Sequence, residues 1–351
     1  MERPTSKPTG HHYLELDTPA LLVNSKLLKS NIENAKSYLK DTSCKLIPNI
    51  GTHGAAGIAR YQTNFDHEAP VFVDTLQQAH SFANNGFKNI IIESPPVGTG
   101  KVESLHRLVN TAHVTISISN LAHLNMLKHF SSENLSALFR IPNKSDSIGV
   151  GTHQTLLELV KLLEEHFEIN WKGLITVSKG SDSLEESFKE ILSAKSFLQS
   201  HSFTSNELLI NTSNQSLMKA HANLPSEITG LISGNYPFEI NGYFPVCSVV
   251  STVMSTPEPG RAYIDCGQKA ISIDRGIPSV VNYANTVVEK MSAEHGYLVF
   301  DTAEMNLEIG DKILLRPANY SDTFNLYDFI NLIKNDRLES VIETTARGTF
   351  K

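Results

Sequence analysis

The sequence predicts an α/β protein with a (β/α)8 barrel of TIM type over residues 20–235 and an antiparallel β domain made of residues 1–19 and 236–351. In the first part, short apolar runs alternate with amphipathic segments, which is typical of parallel strands joined by helical crossovers. In the second part, strand-like runs are separated by Gly, Pro and Asp turns. An open doubly wound sheet is the structural alternative that the alternation leaves open.

Eight strand-like runs support the barrel. In chain order they are KLIPNI, PVFVDT, NIIIES, HVTISIS, SALFRI, WKGLITVS, ELLINTS and ITGLIS. Segments such as LQQAHSFANNGF, QTLLELVKLLEEHF and SLEESFKEILSAKSFLQSH lie between them and have the apolar spacing of a helix. Eight such repeats match the number of strands that closes a barrel.

The C-terminal third has a different pattern. Strand-like runs follow one another as VCSVVSTVMSTP, RAYIDCG, SVVNYANTVVEKM, GYLVFDTA and DKILLRPA. A helix is predicted only near the end, in NLYDFINLIKN at residues 325–335. The segment HHYLELDTP, residues 11–19, is expected to join this β domain because it precedes the first helix of the barrel.

Composition excludes several functional classes. The chain has 30 basic and 37 acidic residues, a net charge of −7 and no basic block, which argues against a nucleic-acid partner. No apolar run approaches the roughly 20 residues of a membrane helix, and the polar start lacks the apolar stretch of a signal peptide. Cys44, Cys247 and Cys266 form no C-x-x-C pair, so a cytoplasmic location with reduced thiols is expected.

Five motifs, in this order, resemble the D-serine dehydratase and D-threonine aldolase family. They are LDTPALLV (16–23), VGTGK (97–101), DCGQKAIS (265–272), EHG (294–296) and ARG (346–348). The resemblance runs from about residue 13 to the C-terminus. It implies a pyridoxal-phosphate enzyme of fold type III, related to alanine racemase, with a barrel followed by a β domain.

The first barrel strand carries the main departure from this family. The family motif there is P-H-x-K-T-H-K, and its first lysine forms the Schiff base with pyridoxal phosphate. This chain has PNIGTHG, residues 48–54, so the lysine aligns with Gly51 and the first histidine with Asn49, while Thr52 and His53 match. Glycine has no amine, so the resemblance implies a vacated catalytic position.

The family's metal site and phosphate turn are changed as well. The His-x-Cys metal pair aligns with Asn319 and Ser321, whose amide and hydroxyl oxygens are poor zinc ligands, so no metal is expected. The glycine-rich phosphate turn after the seventh barrel strand aligns with a polar stretch without glycine, and Tyr236 matches a family G-x-Y at the barrel exit. The weak cofactor-binding candidates are Tyr236, Asn211, Thr212, Ser213, Asn214 and Gln215.

Three further positions differ from the family pattern, and one pair of residues is predicted to have a structural role. The arginine expected after the fifth strand is Ser147. The tyrosine and histidine expected after the sixth strand fall at Val177 and Gly180. An ion pair between Asp265 and Lys269 is predicted to order the turn before AIS.

These changes favour a pseudoenzyme that keeps the fold and binds a small molecule at the barrel mouth or an unknown protein partner. No cofactor is expected, although residual non-covalent binding of pyridoxal phosphate stays open. The alternative is a diverged lyase or aldolase acting on a D-amino acid or a related hydroxy amino acid, with a relocated lysine such as Lys144 or Lys179 or with a non-covalent cofactor. The resemblance also implies a homodimer.

Overall fold

The eight predicted strand runs form one parallel sheet that closes on itself. The computed structural model describes residues 7–179, 184–220, 223–238, 245–303 and 306–350. The strands are β1 (Ala20–Asn24), β2 (Lys45–Pro48), β3 (Val71–Val73), β4 (Asn89–Ile92), β5 (His113–Ile118), β6 (Ser131–Arg140), β7 (Glu168–Ser178), β8 (Glu207–Thr212), β9 (Gly230–Ser233), β10 (Cys247–Glu258), β11 (Arg261–Ile264), β12 (Ser279–Val280), β13 (Thr286–Met291), β14 (Gly296–Phe300), β15 (Lys312–Arg316), β16 (Phe329–Lys334) and β17 (Arg337–Glu343).

Helices lie between successive strands, most of them between strands of the barrel and the last one between β15 and β16. They are α1 (Ser25–Ser37), α2 (Ala56–Gln62), α3 (Leu76–Asn84), α4 (Thr99–Leu108), α5 (Leu121–Asn125), α6 (His153–His166), α7 (Leu184–Ser200), α8 (Asn214–Ala220) and α9 (Tyr320–Asn325), with short 3-10 turns at Tyr13–Glu15, Ile50–Thr52 and Tyr236–Phe238. Several begin at a side-chain cap, as α3 does at Thr75, whose hydroxyl accepts from the Gln78 backbone N–H.

Strands β2 to β9 give the barrel order β2-β9-β8-β7-β6-β5-β4-β3, with every neighbouring pair parallel. A parallel bridge between Asn49 and Phe72 joins the two ends of this order. The predicted barrel is therefore confirmed, and the open doubly wound sheet is excluded.

The chain divides into two units. We call residues 33–51, 58–236 and 349–351 the barrel unit, and residues 1–32, 52–57 and 237–348 the β unit. The β unit contains a mixed sheet of order β13-β14-β11-β10-β1-β16-β17, in which β15 pairs with β10 and β12. Most of its pairs are antiparallel, but β1 and β16 are parallel. The N-terminal segment is held here, because the Gly10 N–H donates to the Leu338 carbonyl.

The predicted helix at residues 325–335 is wrong. The helix α9 ends at Asn325, and Phe329–Lys334 is the strand β16. Its Ile330 and Leu332 are buried and alternate with more exposed residues, which is the two-residue period of a strand. Pairing with both β1 and β17 satisfies its backbone, so tertiary context overrides the local helical pattern.

None of the helices in the described residues is long and apolar enough to cross a membrane.

Candidate functional site at the barrel mouth

The inside of the barrel has an apolar layer and, above it, a polar one. The apolar layer is a buried cluster of one residue from each of seven strands, Ile47, Phe72, Ile91, Leu138, Ile175, Leu209 and Ile232. Side chains alternate along a strand, so the residue two positions later faces the same way. In this way the carboxyl ends of the strands present Asn49, Asp74, Glu93, Arg140, Val177 and Asn211 to the mouth, where barrel enzymes have their active sites.

Gly51 lies in a crowded position at this mouth. Its N–H donates to Asn49 Oδ1 at 3.0 Å, and Asn49 Nδ2 donates to Asp74 Oδ1 at 3.2 Å. A Cβ atom at Gly51 would lie 2.8 Å from Gln78 Oε1 and 2.9 Å from Asp74 Oδ2. Any side chain here would have to displace these oxygens. The position that aligns with the family lysine is thus surrounded by polar side chains of neighbouring elements.

The side chain of Gln78 is held in that place by the backbone. Its Oε1 accepts from the Asp74 N–H at 2.8 Å and from the Thr75 N–H at 3.2 Å, as part of the capping box that starts α3. Moving Gln78 to admit a residue larger than glycine would break these hydrogen bonds.

A buried ion-pair network crosses the mouth. Arg140, at the end of β6, donates to Glu93 Oε1 at 3.0 Å and to Asp146 Oδ2 at 2.5 Å. Lys179, after β7, donates to Asp146 Oδ1 at 2.9 Å. Sequence reasoning missed this network, because it looked for the family arginine at Ser147. The signal was Arg140 itself, a lone charge at the end of a buried apolar strand.

The carboxyl groups at the mouth have shifted pKa values. Burial raises the pKa of Asp74, against the lowering effect of the Asn49 hydrogen bond. Burial also raises the pKa of Glu93, although Arg140 opposes it. For Asp146, burial is outweighed by the hydrogen bonds from Arg140 and Lys179, and its pKa is lowered. The mouth therefore contains several carboxyl groups, and the pKa values of two of them, Asp74 and Glu93, are raised.

The two lysines considered as replacements are already paired. Lys179 has a side chain that is 60% exposed and pairs with Asp146, and Lys144 is 86% exposed and pairs with Glu186 at 3.2 Å. Both amines are therefore engaged by carboxylates of neighbouring residues. Of the two positions expected after the sixth strand, Val177 is buried in the barrel, and Gly180 lies outside the described residues.

The turn after β8 is organised around the start of α8. Ser213 Oγ accepts from the Ser216 N–H at 3.3 Å, so Ser213 acts as a helix cap. Asn214 is buried, and its amide contacts Met218 Sδ at 3.8 Å. No hydrogen bond of the Gln215 side chain is among those of the described residues. The turn that was predicted to bind phosphate therefore makes its hydrogen bonds within the start of α8.

Two buried hydroxyls near this turn lack a partner. Thr212 Oγ1 and Ser233 Oγ have no hydrogen-bond partner in the described part of the chain, and they end the neighbouring strands β8 and β9. Both face away from the barrel interior, because Leu209 and Ile232 of the same strands face into it and side chains alternate along a strand. Tyr236, in contrast, is buried and its hydroxyl accepts from Gln62 Nε2 at 3.0 Å, while burial raises its pKa.

In the β unit, His53 is a buried structural residue. Its Nδ1 accepts from the Ala55 N–H at 3.1 Å, just before α2. Its ring packs edge-on against Phe238 and Phe324, with centroids 5.9 and 6.3 Å away. The neighbouring Gly54 has a φ of +64°, a backbone conformation that favours glycine. These contacts explain His53 and Gly54 by local structure, and Thr52 ends the preceding 3-10 turn.

Asn319 is the N-cap of α9. Its Oδ1 accepts from the Asp322 N–H at 3.3 Å and its Nδ2 donates to Asp322 Oδ2 at 2.7 Å. Ser321 lies in the first turn of the same helix. Among the described residues, no group of three or more His, Cys, Asp or Glu side chains is placed to hold a metal ion. The vacated metal positions thus contribute to a helix terminus.

The Asp265–Lys269 ion pair predicted from the sequence is wrong. Asp265 accepts from the hydroxyls of Thr18 and Ser251, at 2.5 and 2.7 Å. Lys269 instead pairs with Glu294 on the exposed surface. Asp265 is surrounded by donors from β10 and the N-terminal segment, which a local sequence pattern does not show.

Replacing Asn319 by alanine is expected to lower the free energy of unfolding by about 0.5–2 kcal/mol, because the first turn of α9 loses its cap. Asn319→Ser should lower it less, since serine also caps. Urea unfolding followed by circular dichroism measures both. Ser321→Ala is the matched control on the same helix. An equal loss in Ser321→Ala would contradict the capping role.

Comparison with known proteins identifies the C-terminal part of the chain. Residues 247–333 match the family model of a putative serine dehydratase domain. The resemblance inferred from the motifs is thereby confirmed.

Relatives extend this similarity over the whole chain. The chain is 23% identical to a 3-hydroxy-D-aspartate aldolase of Paracoccus denitrificans (strain Pd 1222), over 95% of the chain and 93% of the relative. It is 20% identical to a D-threonine aldolase of Arthrobacter sp, over 98% and 96%. A crystal structure of D-threonine aldolase from Filomicrobium marinum superposes with a TM-score of 0.89 at 20% identity, covering 99% of this chain and all of that one. The crystal structure therefore has the same fold as this chain.

Pyridoxal phosphate, the cofactor implied by the family, does not fit this site as a covalent group. Gly51 supplies no amine, and the space beside it holds Gln78 and Asp74. The unpartnered hydroxyls of Thr212 and Ser233 are buried on the outer face of β8 and β9 and supply no anion site at the mouth. The geometry therefore disagrees with covalent attachment while leaving room for weak, non-covalent contacts.

Proposed function

We propose that this chain is a non-catalytic relative of the D-amino-acid aldolases and dehydratases, which keeps their fold to bind a small molecule without covalent attachment at the barrel mouth. The observation that carries the proposal is the environment of Gly51, where a Cβ atom would lie within 2.9 Å of two side-chain oxygens. A site that had lost only its lysine would leave a space of lysine size. Here the space is filled.

The other changes support the same interpretation. A catalytic lysine needs a neutral amine, whereas the mouth offers two carboxyls with raised pKa values and two ion-paired lysines. Asn319 is used as a helix cap, not as a metal ligand. Three buried free thiols suit a reducing compartment such as the cytoplasm. A homodimer, as implied by the family, belongs to the same proposal.

The purified protein is expected to stay colourless after incubation with pyridoxal phosphate, and borohydride reduction should leave no lysine labelled in peptide mass spectrometry. It should also release no glycine or aldehyde from D-threonine, because no amine is placed to attack the cofactor. The D-threonine aldolase of Arthrobacter sp, treated identically, is the positive control.

A label on Lys179 or Lys144, together with turnover, would contradict the proposal. It would support the alternative function, a diverged lyase or aldolase of D-amino acids or hydroxy amino acids with a relocated lysine. Lys179→Met should then abolish both label and turnover, whereas Lys172→Met, in the middle of β7, should change neither.

A further inference from the structure

A short surface segment, residues 348–350, is fastened at the rim of the barrel mouth. The hydroxyl of Thr75 donates to the backbone carbonyl of Thr349 at 2.8 Å. Thr75 and residues 349–351 both belong to the barrel unit, and Thr75 directly follows Asp74, one of the acids of the mouth. We call residues 348–350 the latch.

The hydroxyl that holds the latch also caps the helix α3. Thr75 Oγ1 accepts from the Gln78 N–H at 3.2 Å while it donates to Thr349. A hydroxyl has one hydrogen to donate, so the bond to Thr349 fixes its rotation and leaves its lone pairs for the helix. Hydrogen bonds joined in this way strengthen one another. Attachment of the latch therefore strengthens the cap of α3.

The cap in turn holds the side chain that crowds Gly51. Gln78 Oε1 accepts from the N–H groups of Asp74 and Thr75 at 2.8 and 3.2 Å. The same oxygen is the atom nearest to a Cβ position at Gly51, and Gln78 Nε2 donates to the Gly51 carbonyl in a long hydrogen bond of 3.5 Å. The path from the latch to the most crowded point of the mouth thus passes through Thr75 and Gln78.

Two features allow the latch to detach. Gly348 has a φ of +74°, and a Cβ atom there would meet no described atom within 4 Å, so this position suits a hinge. The side chain of Phe350 is 71% exposed, so its burial contributes little to holding the latch. The bond from Thr75, at the usual strength of one hydrogen bond, favours the attached form by about two- to tenfold.

We propose that the latch gates the barrel mouth. When it is attached at Thr75, Gln78 stays beside Gly51, and when it detaches, the cap of α3 loosens and the mouth becomes accessible. As a regulation of the ligand site, this gate rests on the function proposed above. Both tests are made without a ligand, so a failure of the gate and a failure of ligand binding give different results.

The first test compares the full chain with a variant that lacks residues 349–351. Deletion of Lys351 alone is the matched control, because it keeps Thr349 and Phe350. Hydrogen exchange measured by mass spectrometry should become about two- to tenfold faster in peptides that contain the Gln78 amide, and only in the longer deletion. Peptides of α6 should not change. Equal exchange at the start of α3 in the full chain and in the longer deletion overturns the proposal.

The second test measures access to the mouth through the variant Asn49→Cys. Its reaction with a maleimide should be about two- to tenfold faster when residues 349–351 are deleted, while the three native cysteines are buried and stay unreactive. Thr75→Val should have the effect of the deletion, and Thr75→Ser, which keeps the hydroxyl, should not. Faster exchange at α3 with an unchanged labelling rate also overturns the proposal, because the latch would then support a helix cap without controlling the mouth.

Discussion

Replacing Arg140 by methionine is expected to lower the free energy of unfolding by about 3–5 kcal/mol, because Glu93 loses its counter-charge and Asp146 keeps only the exposed Lys179 as a partner. Arg140 is 7% exposed and contacts Glu93 and Asp146 at 3.0 and 2.5 Å. Methionine keeps most of the volume, so the loss reports charge, not a cavity. Urea unfolding at neutral pH measures it.

The matched control is Arg347→Met. Arg347 also forms an ion pair, with Asp328 at 3.1 Å, but the two side chains are 46% and 57% exposed. An exposed pair contributes about 0–1 kcal/mol. A loss in Arg140→Met no larger than that in Arg347→Met would show that the mouth network is solvated and has no structural role.

The destabilisation caused by Arg140→Met should become smaller as the pH falls. In Arg140→Met, Glu93 and Asp146 can escape the cost of burial by taking up protons, so acid removes the uncompensated charge. In the wild-type protein, Asp146 and Glu93 contribute to the stability of the folded state in opposite pH ranges. Asp146 has a lowered pKa, so its stabilisation is present above about pH 3.9, the ordinary value, and is lost as the pH falls through its folded pKa. Glu93 has a raised pKa, so its contribution is present below about pH 4.3 and is lost as the pH rises through its folded pKa.

The barrel could be predicted from sequence because its signal is repeated. Each buried strand is a short apolar run, each crossover is amphipathic, and an error in one element does not change the pattern of the others. The helix predicted at residues 325–335 was based on a single segment, and no repeated pattern supported it. Phe329–Lys334 is a strand because it pairs with β17 and also with β1, which lies about 300 residues earlier in the chain.

The candidate site was predictable only where it lies on one chain segment. The motif PNIGTHG showed that the lysine position is vacated, but not what occupies the space. Gln78 and Asp74 come from the next βα unit, and Arg140 from the fifth strand. Their convergence depends on barrel closure, which brings distant residues together at one face. The sequence therefore predicts a glycine in place of the family lysine, which stays a prediction of lost chemistry, and sequence reasoning did not predict the ion-pair network at the mouth.

Crowding at Gly51 makes a specific prediction about Gln78. Gly51→Ala alone is expected to lower the free energy of unfolding by about 1–3 kcal/mol, the range for overpacked sites, because its Cβ would lie 2.8 Å from Gln78 Oε1. Gln78→Ala alone should lower it by about 0.5–2 kcal/mol through loss of the capping box. In the double variant the two losses should not add, and a coupling of about 1 kcal/mol or more is expected. Gly57→Ala, which meets only Ile342, should show no coupling to Gln78→Ala.

The same crowding decides whether a lysine can be put back. Gly51→Lys should remain unlabelled by pyridoxal phosphate and borohydride at neutral pH, since the introduced amine meets Gln78 and would be held protonated by Asp74 and Glu93. Adding Gln78→Ala makes room but leaves the two acids, so labelling should appear only at alkaline pH. Adding Asp74→Asn as well should move the onset of labelling to lower pH, because a negative neighbour that stabilises the ammonium form has been removed.

Peptide mass spectrometry after reduction gives the labelled fraction at each pH, and Gly57→Lys is the control for non-specific reaction. Complete labelling of Gly51→Lys alone at neutral pH would mean that the site has lost nothing but its amine, and that the polar side chains around Gly51 yield freely to the returning lysine.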